Sequence, residues 1–296
     1  MKIINFLIKL RKTLKEKTYL DYLNPFFNEK KISIRYWFGG FGNNLIQISN
    51  LLLYAKFNNL KFNISKHELL DNDKIQSLNT HNSYFSKSQT YADLNLENKK
   101  FKNYFSQNLR TIYYDEIFNL FSFYKDLNLQ SDELVIHLRP MAIVSNHSFK
   151  FVDQKSKIQN PLNYYLEVIP KYKKVTVVIN NVLSNPILPF LINLPNVNIQ
   201  SGTDTEDFNY ILNAKSLMLS TSSSFAICAA LSSRKLETIY YSDLNFENDF
   251  VKSIECSNIY RLNLLNYFKE NDSYNLNQIY KKMLSEEVQI VVEKLK

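Results

Sequence analysis

The sequence predicts an α/β protein with parallel sheets, on three observations. Residues 32–36 and 60–64 read as strands and bracket an apolar helical run at 45–54, which makes a βαβ unit and hence parallel pairing. A second series of short apolar or β-branched runs, at 133–138, 175–179, 197–199, 216–219 and 239–241, alternates with helical segments in the same way. Two of the strand-to-helix junctions carry the residue types that bind anions.

Composition agrees with this. The 296 residues are enough for two domains, and with 45% hydrophobic and 14% aromatic residues they can bury a sizeable core. A net charge of +8 favours anionic partners such as a nucleotide or phosphate. No single basic run dominates, so nucleic acid is not an expected partner. The 2 cysteines, Cys228 and Cys256, lack CxxC or His-paired spacing and read as reduced core residues of a cytosolic protein. So few Cys and His leave little material for a zinc site.

Taken in order, residues 1–17 place Ile3, Ile4, Leu7, Leu10 and Leu14 on one helical face, with Lys and Arg elsewhere. This is either a helix lying peripherally on an anionic membrane or a terminal helix packed on its own domain. Lys9 interrupts the apolar segment and no cleavage site follows, so it is not read as a signal peptide. No stretch reaches the roughly eighteen apolar residues of a membrane span.

Three of the 4 glycines, Gly39, Gly40 and Gly42, come just after the only Trp, at the end of the first strand. Glycine admits positive φ and removes the Cβ that would hold a ligand away. The helix that follows opens with unpaired N–H groups suited to an anion. The run therefore serves either a close approach of backbone to a ligand or a tight turn that needs glycine for its shape alone. Leu45 stands where GxGxxG needs its last glycine and no Walker Lys-Ser/Thr follows, so neither of those motifs is present.

Residues 66–125 are poorly periodic, with 104–123 helical in part. His67 and His81 read as surface residues without partners. Asp71-Asn72-Asp73 has the Asp-x-Asp spacing of a metal site, but no clear strand leads into it, and no metal is expected. The strand at 133–138 ends at Pro140, which cannot donate to a ladder. That puts His137 and Arg139 at a carboxyl strand end, where ligands of open α/β sheets collect. Arg offers a permanent charge and a planar fork suited to phosphate oxygens. His137 is either a general base or a structural residue.

Residues 161–169 read as a helix containing Asn163-Tyr164-Tyr165, ended by Pro170. Asp204, Glu206 and Asp207 place acids in the first turn of the next helix. The strand at 216–219 runs into Ser222, Ser223, Ser224 and Phe225, whose hydroxyls and following N–H groups suit a diphosphate; ordinary capping would need only one of them. Residues 285–296 read as a terminal helix on which Val288, Ile290, Val291 and Leu295 pack.

As an ordered set these motifs resemble the α-1,2-fucosyltransferases and, more distantly, the wider fucosyltransferase group. Gly39, Gly40, Gly42 and Asn43 match that family's Gly-Gly-x-Gly-Asn-Gln, with Asn44 in place of Gln. His137 and Arg139 meet the first half of its His-x-Arg-Arg-x-Asp, with Pro140 and Ala142 replacing the rest. Asn163-Tyr164-Tyr165 and the segment 222–228 are similar to its Tyr-Tyr helix and its Asn-Ser-Ser-Phe-Ser-Trp-Trp, without the tryptophans. The resemblance spans residues 32–235.

It implies a GT-B architecture, two Rossmann-like domains facing across a cleft. Residues 1–130 would form the acceptor side and carry the glycine loop, residues 131–275 would bind nucleotide sugar, and a helix at 276–296 would pack back on the first domain. It also implies metal-independent, inverting transfer of a sugar, fucose from GDP-fucose, to an oligosaccharide or lipid-linked surface glycan, in the cytoplasm or peripherally on the inner face of the membrane. Arg139, Asn43 and His137 would then be catalytic. Gly39, Gly40, Phe41, Gly42, Ser222, Ser223, Ser224 and Phe225 would hold the donor; by position alone, Asp204 or Asp207 could accept hydrogen bonds from its guanine. The half-complete Arg motif leaves open another GDP- or CMP-sugar, a pyruvyl donor, or a non-catalytic glycan-binding relative.

Overall fold

The computed structural model describes residues 31–80, 87–88, 99–140, 149–150, 158–180, 185–221, 223–244, 250–251, 253–268 and 273–296. The expectations for residues 1–17, His81, Ala142 and Ser222 lie outside these.

A first, small sheet has the order β2-β1-β3, with both pairings parallel. Its strands are β1 (Lys31–Ile34), β2 (Lys61–Ile64) and β3 (Lys87–Ser88). Between β1 and β2 runs α1 (Phe41–Phe57), buried nearly all round, with Asn44, Gln47, Ser49 and Asn50 buried among its apolar residues. Then follow α2 (Asn72–Leu78) and α3 (Lys99–Thr111), which runs on into a π turn (Ile112–Ile117) and a 3-10 turn (Phe118–Leu120).

The second unit holds β4 (Glu133–His137), β5 (Phe149–Lys150), β6 (Lys174–Val178), β7 (Val197–Gln200), β8 (Ser216–Leu219), β9 (Thr238–Ser242), β10 (Asn258–Leu265), β11 (Ser273–Tyr274) and β12 (Gln289–Lys294). Seven of these form one sheet, β12-β10-β9-β8-β4-β6-β7, parallel except for the edge strand β12; β5 and β11 pair separately. Its helices are α4 (Leu162–Leu166), α5 (Leu188–Leu191), α6 (Asp204–Leu212), α7 (Ser224–Ser232) and α8 (Leu276–Met283). Along β4, Leu134 and Ile136 face one layer and Val135 the other, the period-2 alternation of a strand covered on both sides.

The chain is thus an α/β protein of two parallel-sheet units, as expected for its fold class. The units are joined by a common core that includes Ile32, Leu51 and Tyr113 from the first and Phe208, Ala226 and Leu231 from the second. Among the described residues, no helix is long and apolar enough to cross a membrane.

The terminal helix expected over 276–296 is corrected. Helix α8 ends at Met283, and residues 289–294 form a strand antiparallel to β10. The β-branched run Ile290-Val291-Val292 prefers the extended state, and β10 offers it an open edge. Ile279, Met283 and Val288 pack into the core of the second sheet, away from the first unit.

Candidate functional site

From β4 the chain adds β6 and β7 on one side and then returns to place β8 on the other. The strand order therefore reverses between β4 and β8. The crevice outside their carboxyl ends is where open α/β sheets take ligands. Both motifs singled out in the second unit reach this point. β4 delivers His137 and Arg139, and β8 delivers Ser220, Thr221, Ser223 and Ser224. The two strands stay tied beyond their ends, since Ser220 N donates to His137 O at 3.2 Å. Arg139 is half-buried, and its carbonyl accepts from Asn185 Nδ2 at 2.9 Å. Tyr164, fully buried in α4, braces β8 from beneath by donating its hydroxyl to Leu219 O at 2.8 Å.

His137 lies under this crevice. Its ring stacks on Phe225 at 5.7 Å, and Ser220 Oγ sits 3.4 Å from Nδ1. Burial, and secondarily the charge of Arg139, push its pKa down to about 3. The imidazole is therefore neutral at pH 7 and a weak base. Its placement fits the structural reading, with the ring supporting Phe225, and argues against the general-base reading.

The glycine run resolves into three separate causes. Gly39 has φ of +71°, so it makes the turn. At Gly42 a Cβ would lie 2.3 Å from Phe225 N, 2.5 Å from Ser224 C and 2.6 Å from Phe225 Cα. Its absence lets the first turn of α1 touch the first turn of α7, so the close approach at Gly42 is made by the protein's own backbone. Only Gly40 faces open space, with nothing within 4 Å of where a Cβ would be. Beside it, Ser224 Oγ donates to Asn43 Oδ1 at 2.7 Å and links the two units.

Two helix N-termini therefore meet here, and neither has a side-chain cap. Three other helices have side-chain caps, whereas the short α4 and α5 do not. Asp71 caps α2, a Thr203/Glu206 box caps α6 and an Asn275/Gln278 box caps α8. Each bare N-terminus carries roughly half a positive charge, so bringing two together is unfavourable unless an anion sits between them. The Ser223 hydroxyl does not cap α7, so ordinary capping does not account for it, while the Ser224 hydroxyl is spent on Asn43.

Several expected residues have other occupations. Phe41 is buried in an aromatic cluster with Phe121, Phe123 and Phe208, so only its backbone can serve a ligand. Asp207 is 3% exposed, and its Oδ1 accepts from Gly202 N at 2.9 Å and Gln200 Nε2 at 3.1 Å. Burial raises its carboxyl pKa. It holds the turn into α6 and is not open to a base, which corrects its guanine assignment. Asp204 is exposed and accepts from Asn180 Nδ2 at 3.3 Å, so it stays available. Asp71 accepts the N–H groups of Asp73 and Lys74, which accounts for that acidic triplet without a metal.

His67, expected on the surface, is 6% exposed and central to the first unit's loop. Its Nδ1 accepts the Leu69 N–H at 3.1 Å, which leaves Nε2 to donate to Asn44 Oδ1 at 3.0 Å. Asn44 Nδ2 in turn donates to Phe38 O at 3.0 Å, while Gln47 accepts from Phe38 N at 3.0 Å and donates to Tyr36 O at 3.3 Å. Sequence reading missed this clamp. Its one signal was two polar residues, Asn44 and Gln47, at the start of an otherwise apolar helix.

The class defined by fold and crevice is a two-unit α/β protein with an anion-suited junction. No protein-family model and no curated protein matches the chain. Among solved structures, the fold is similar to that of a mutant of Arabidopsis thaliana FUT1 in complex with GDP, at 12% identity and a TM-score of 0.46, covering 81% of this chain and 78% of that one.

Proposed function

We propose that the chain is a metal-independent, inverting glycosyltransferase that takes a GDP-sugar, GDP-fucose in the first instance, and transfers the sugar to a glycan acceptor. The observation that carries this reading is the meeting of two uncapped helix N-termini at the switch point of the larger sheet, where the carboxyl end of β4 leads into Arg139. A diphosphate is an anion of the right kind to satisfy both poles. In the reaction the acceptor hydroxyl oxygen bonds to the anomeric carbon as the carbon–phosphate oxygen bond breaks; the electron pair leaves with GDP, and the hydroxyl proton passes to the departing diphosphate or to solvent. The N–H groups of Phe41 and Phe225, the Ser223 hydroxyl and the Arg139 guanidinium oppose that growing charge, which makes them worth most in the transition state. These groups supply the positive charge that a divalent cation provides in other designs.

In this reading the second unit, within residues 131–275, holds the donor, with Asp204 as the remaining candidate for guanine. The first unit, within residues 1–130, receives the acceptor. A shift of donor to another nucleotide is the second reading, favoured by Pro140 where the related motif has a second Arg. Thermal-shift titration with GDP, UDP and CMP tests both. Selective stabilisation by GDP supports the first reading, stabilisation by another nucleotide transfers support to the second, and a melting curve unmoved by all three defeats the proposal.

A further inference from the structure

Tyr36 and Phe38 stand out from the protein at 70% and 47% exposure, on the loop that leads into Gly39 and Gly40. Trp37 between them turns inward, its ring perpendicular to His67 with the ring centroids 4.7 Å apart and its indole N–H donated to Lys66 O at 2.8 Å. Aromatic rings left in water forgo the burial they ordinarily gain. Yet their loop is held rigidly. Gln47, fully buried, and Asn44, 5% exposed, fix the backbone of Tyr36 and Phe38 through the clamp described above, and His67 fixes Asn44. The protein thus uses buried polar side chains to hold the backbone that carries two exposed aromatic rings.

We propose that Tyr36 and Phe38 form a fixed shelf that receives a pyranose ring of the glycan acceptor; this rests on the glycosyltransferase reading. A pyranose has one face of C–H groups, which packs on an aromatic ring, and a rim of hydroxyls, which needs hydrogen-bond partners. The shelf offers both, since the exposed Gly39 and Gly40 backbone lies directly beside it. In the glycosyltransferase reading the donor's phosphates lie at the N-termini of α1 and α7, over the strand ends of the second unit. This leaves the outer side of the loop, which belongs to the first unit, to the acceptor. A preformed shelf also spares the ligand the cost of ordering the loop.

Trp37 is the only tryptophan, so its emission reports on this loop alone. The full chain is titrated with methyl α- and β-glucosides, galactosides and mannosides and with lactose and cellobiose, with and without GDP. A saturable change in Trp37 emission is expected with at least one sugar. Apparent affinity should fall roughly tenfold or more in Tyr36→Ala and Phe38→Ala, and stay within about threefold in Tyr36→Phe and Phe38→Tyr, while the GDP thermal shift is unchanged in all four. The proposal is overturned if no sugar moves the emission, or if the Ala variants titrate like the wild type. Loss of GDP binding in the Ala variants would also overturn it, because the shelf would then carry the nucleobase. A sugar response without GDP stabilisation leaves the shelf standing and removes the transferase reading; GDP stabilisation without a sugar response does the reverse.

Discussion

Replacing Gly42 with alanine tests the contact on which the proposed site depends. The new methyl would sit 2.3 Å from Phe225 N, against the ~3.5 Å that non-bonded heavy atoms need, so α1 and α7 must part by about 1.2 Å at their tips. The opposing atoms are backbone, so no rotamer change relieves the clash. Overpacking of this kind costs roughly 1–3 kcal/mol, partly offset by the ~1 kcal/mol that alanine gains over glycine within a helix. The severity of the clash favours the upper part of the range, for a net loss of about 1–2 kcal/mol. Each kcal/mol lowers the melting temperature by ~2–4 °C in a protein of about this size, so a drop of roughly 2–8 °C is expected, with GDP stabilisation weakened as the junction opens. Gly40→Ala is the control. Gly40 has φ of −78°, which alanine adopts freely, and nothing lies within 4 Å, so the fold should be unharmed. Equal melting temperatures and equal GDP shifts in Gly42→Ala and the wild type would refute the described contact.

Arg139→Ala should reduce turnover of GDP-sugar by two or more powers of ten while the melting temperature stays near that of the wild type, as measured by GDP release; near-normal turnover would remove Arg139 from the mechanism. The pKa of His137, depressed to about 3 against an unfolded value of 6.5, means that the unfolded chain binds the proton more readily between those values. Its contribution is fully present above pH 6.5 and is lost as the pH falls towards 3, on the order of 5 kcal/mol in all. The melting temperature of the wild type should accordingly fall more steeply with acid than that of His137→Gln, and parallel curves would contradict this. Glu133 is 3% exposed and accepts from Thr176 Oγ1 and Tyr210 Oη at 2.8 Å and from Lys174 Nζ at 3.0 Å. Glu133→Ala strands these donors and should cost about 3 kcal/mol in urea unfolding; an unchanged midpoint would show that the cluster is not needed.

What could be read from the sequence was local. The strands β4, β6 and β8 announce themselves as short β-branched or apolar runs, and a residue just past a strand's carboxyl end, such as Arg139, can be located in the fold before its neighbours are known. What escaped depends on distant partners. The purpose of Gly42 lies in the backbone of Phe225, and the burial of His67 in Asn44, one helix earlier in the chain. Asp207 looked like one more acid of a helix start, because the turn it holds at Gly202 has no signature of its own. The strand β12 was misread for a different reason. Val288, Ile290, Val291 and Leu295 fit a helical face, but the consecutive Ile290-Val291-Val292 favours a strand once β10 offers an edge. Strand β10 itself alternates Tyr260, Leu262 and Leu264 with Arg261 and Asn263, a period-2 signal that was present and overlooked.

The core shared by the two units also bears on how the chain is made. The apolar face of α1 is completed by α7, which begins 193 residues after β1 (224 − 31). At ~5–20 residues per second, a ribosome delivers α7 about 10–40 s after the first strand. Throughout that interval the apolar α1 has no finished partner. The first unit must therefore wait, exposed or chaperoned, for the second half of its own interior. Residues 31–130 produced alone should be readily cleaved by protease and should become protected when residues 131–296 are supplied.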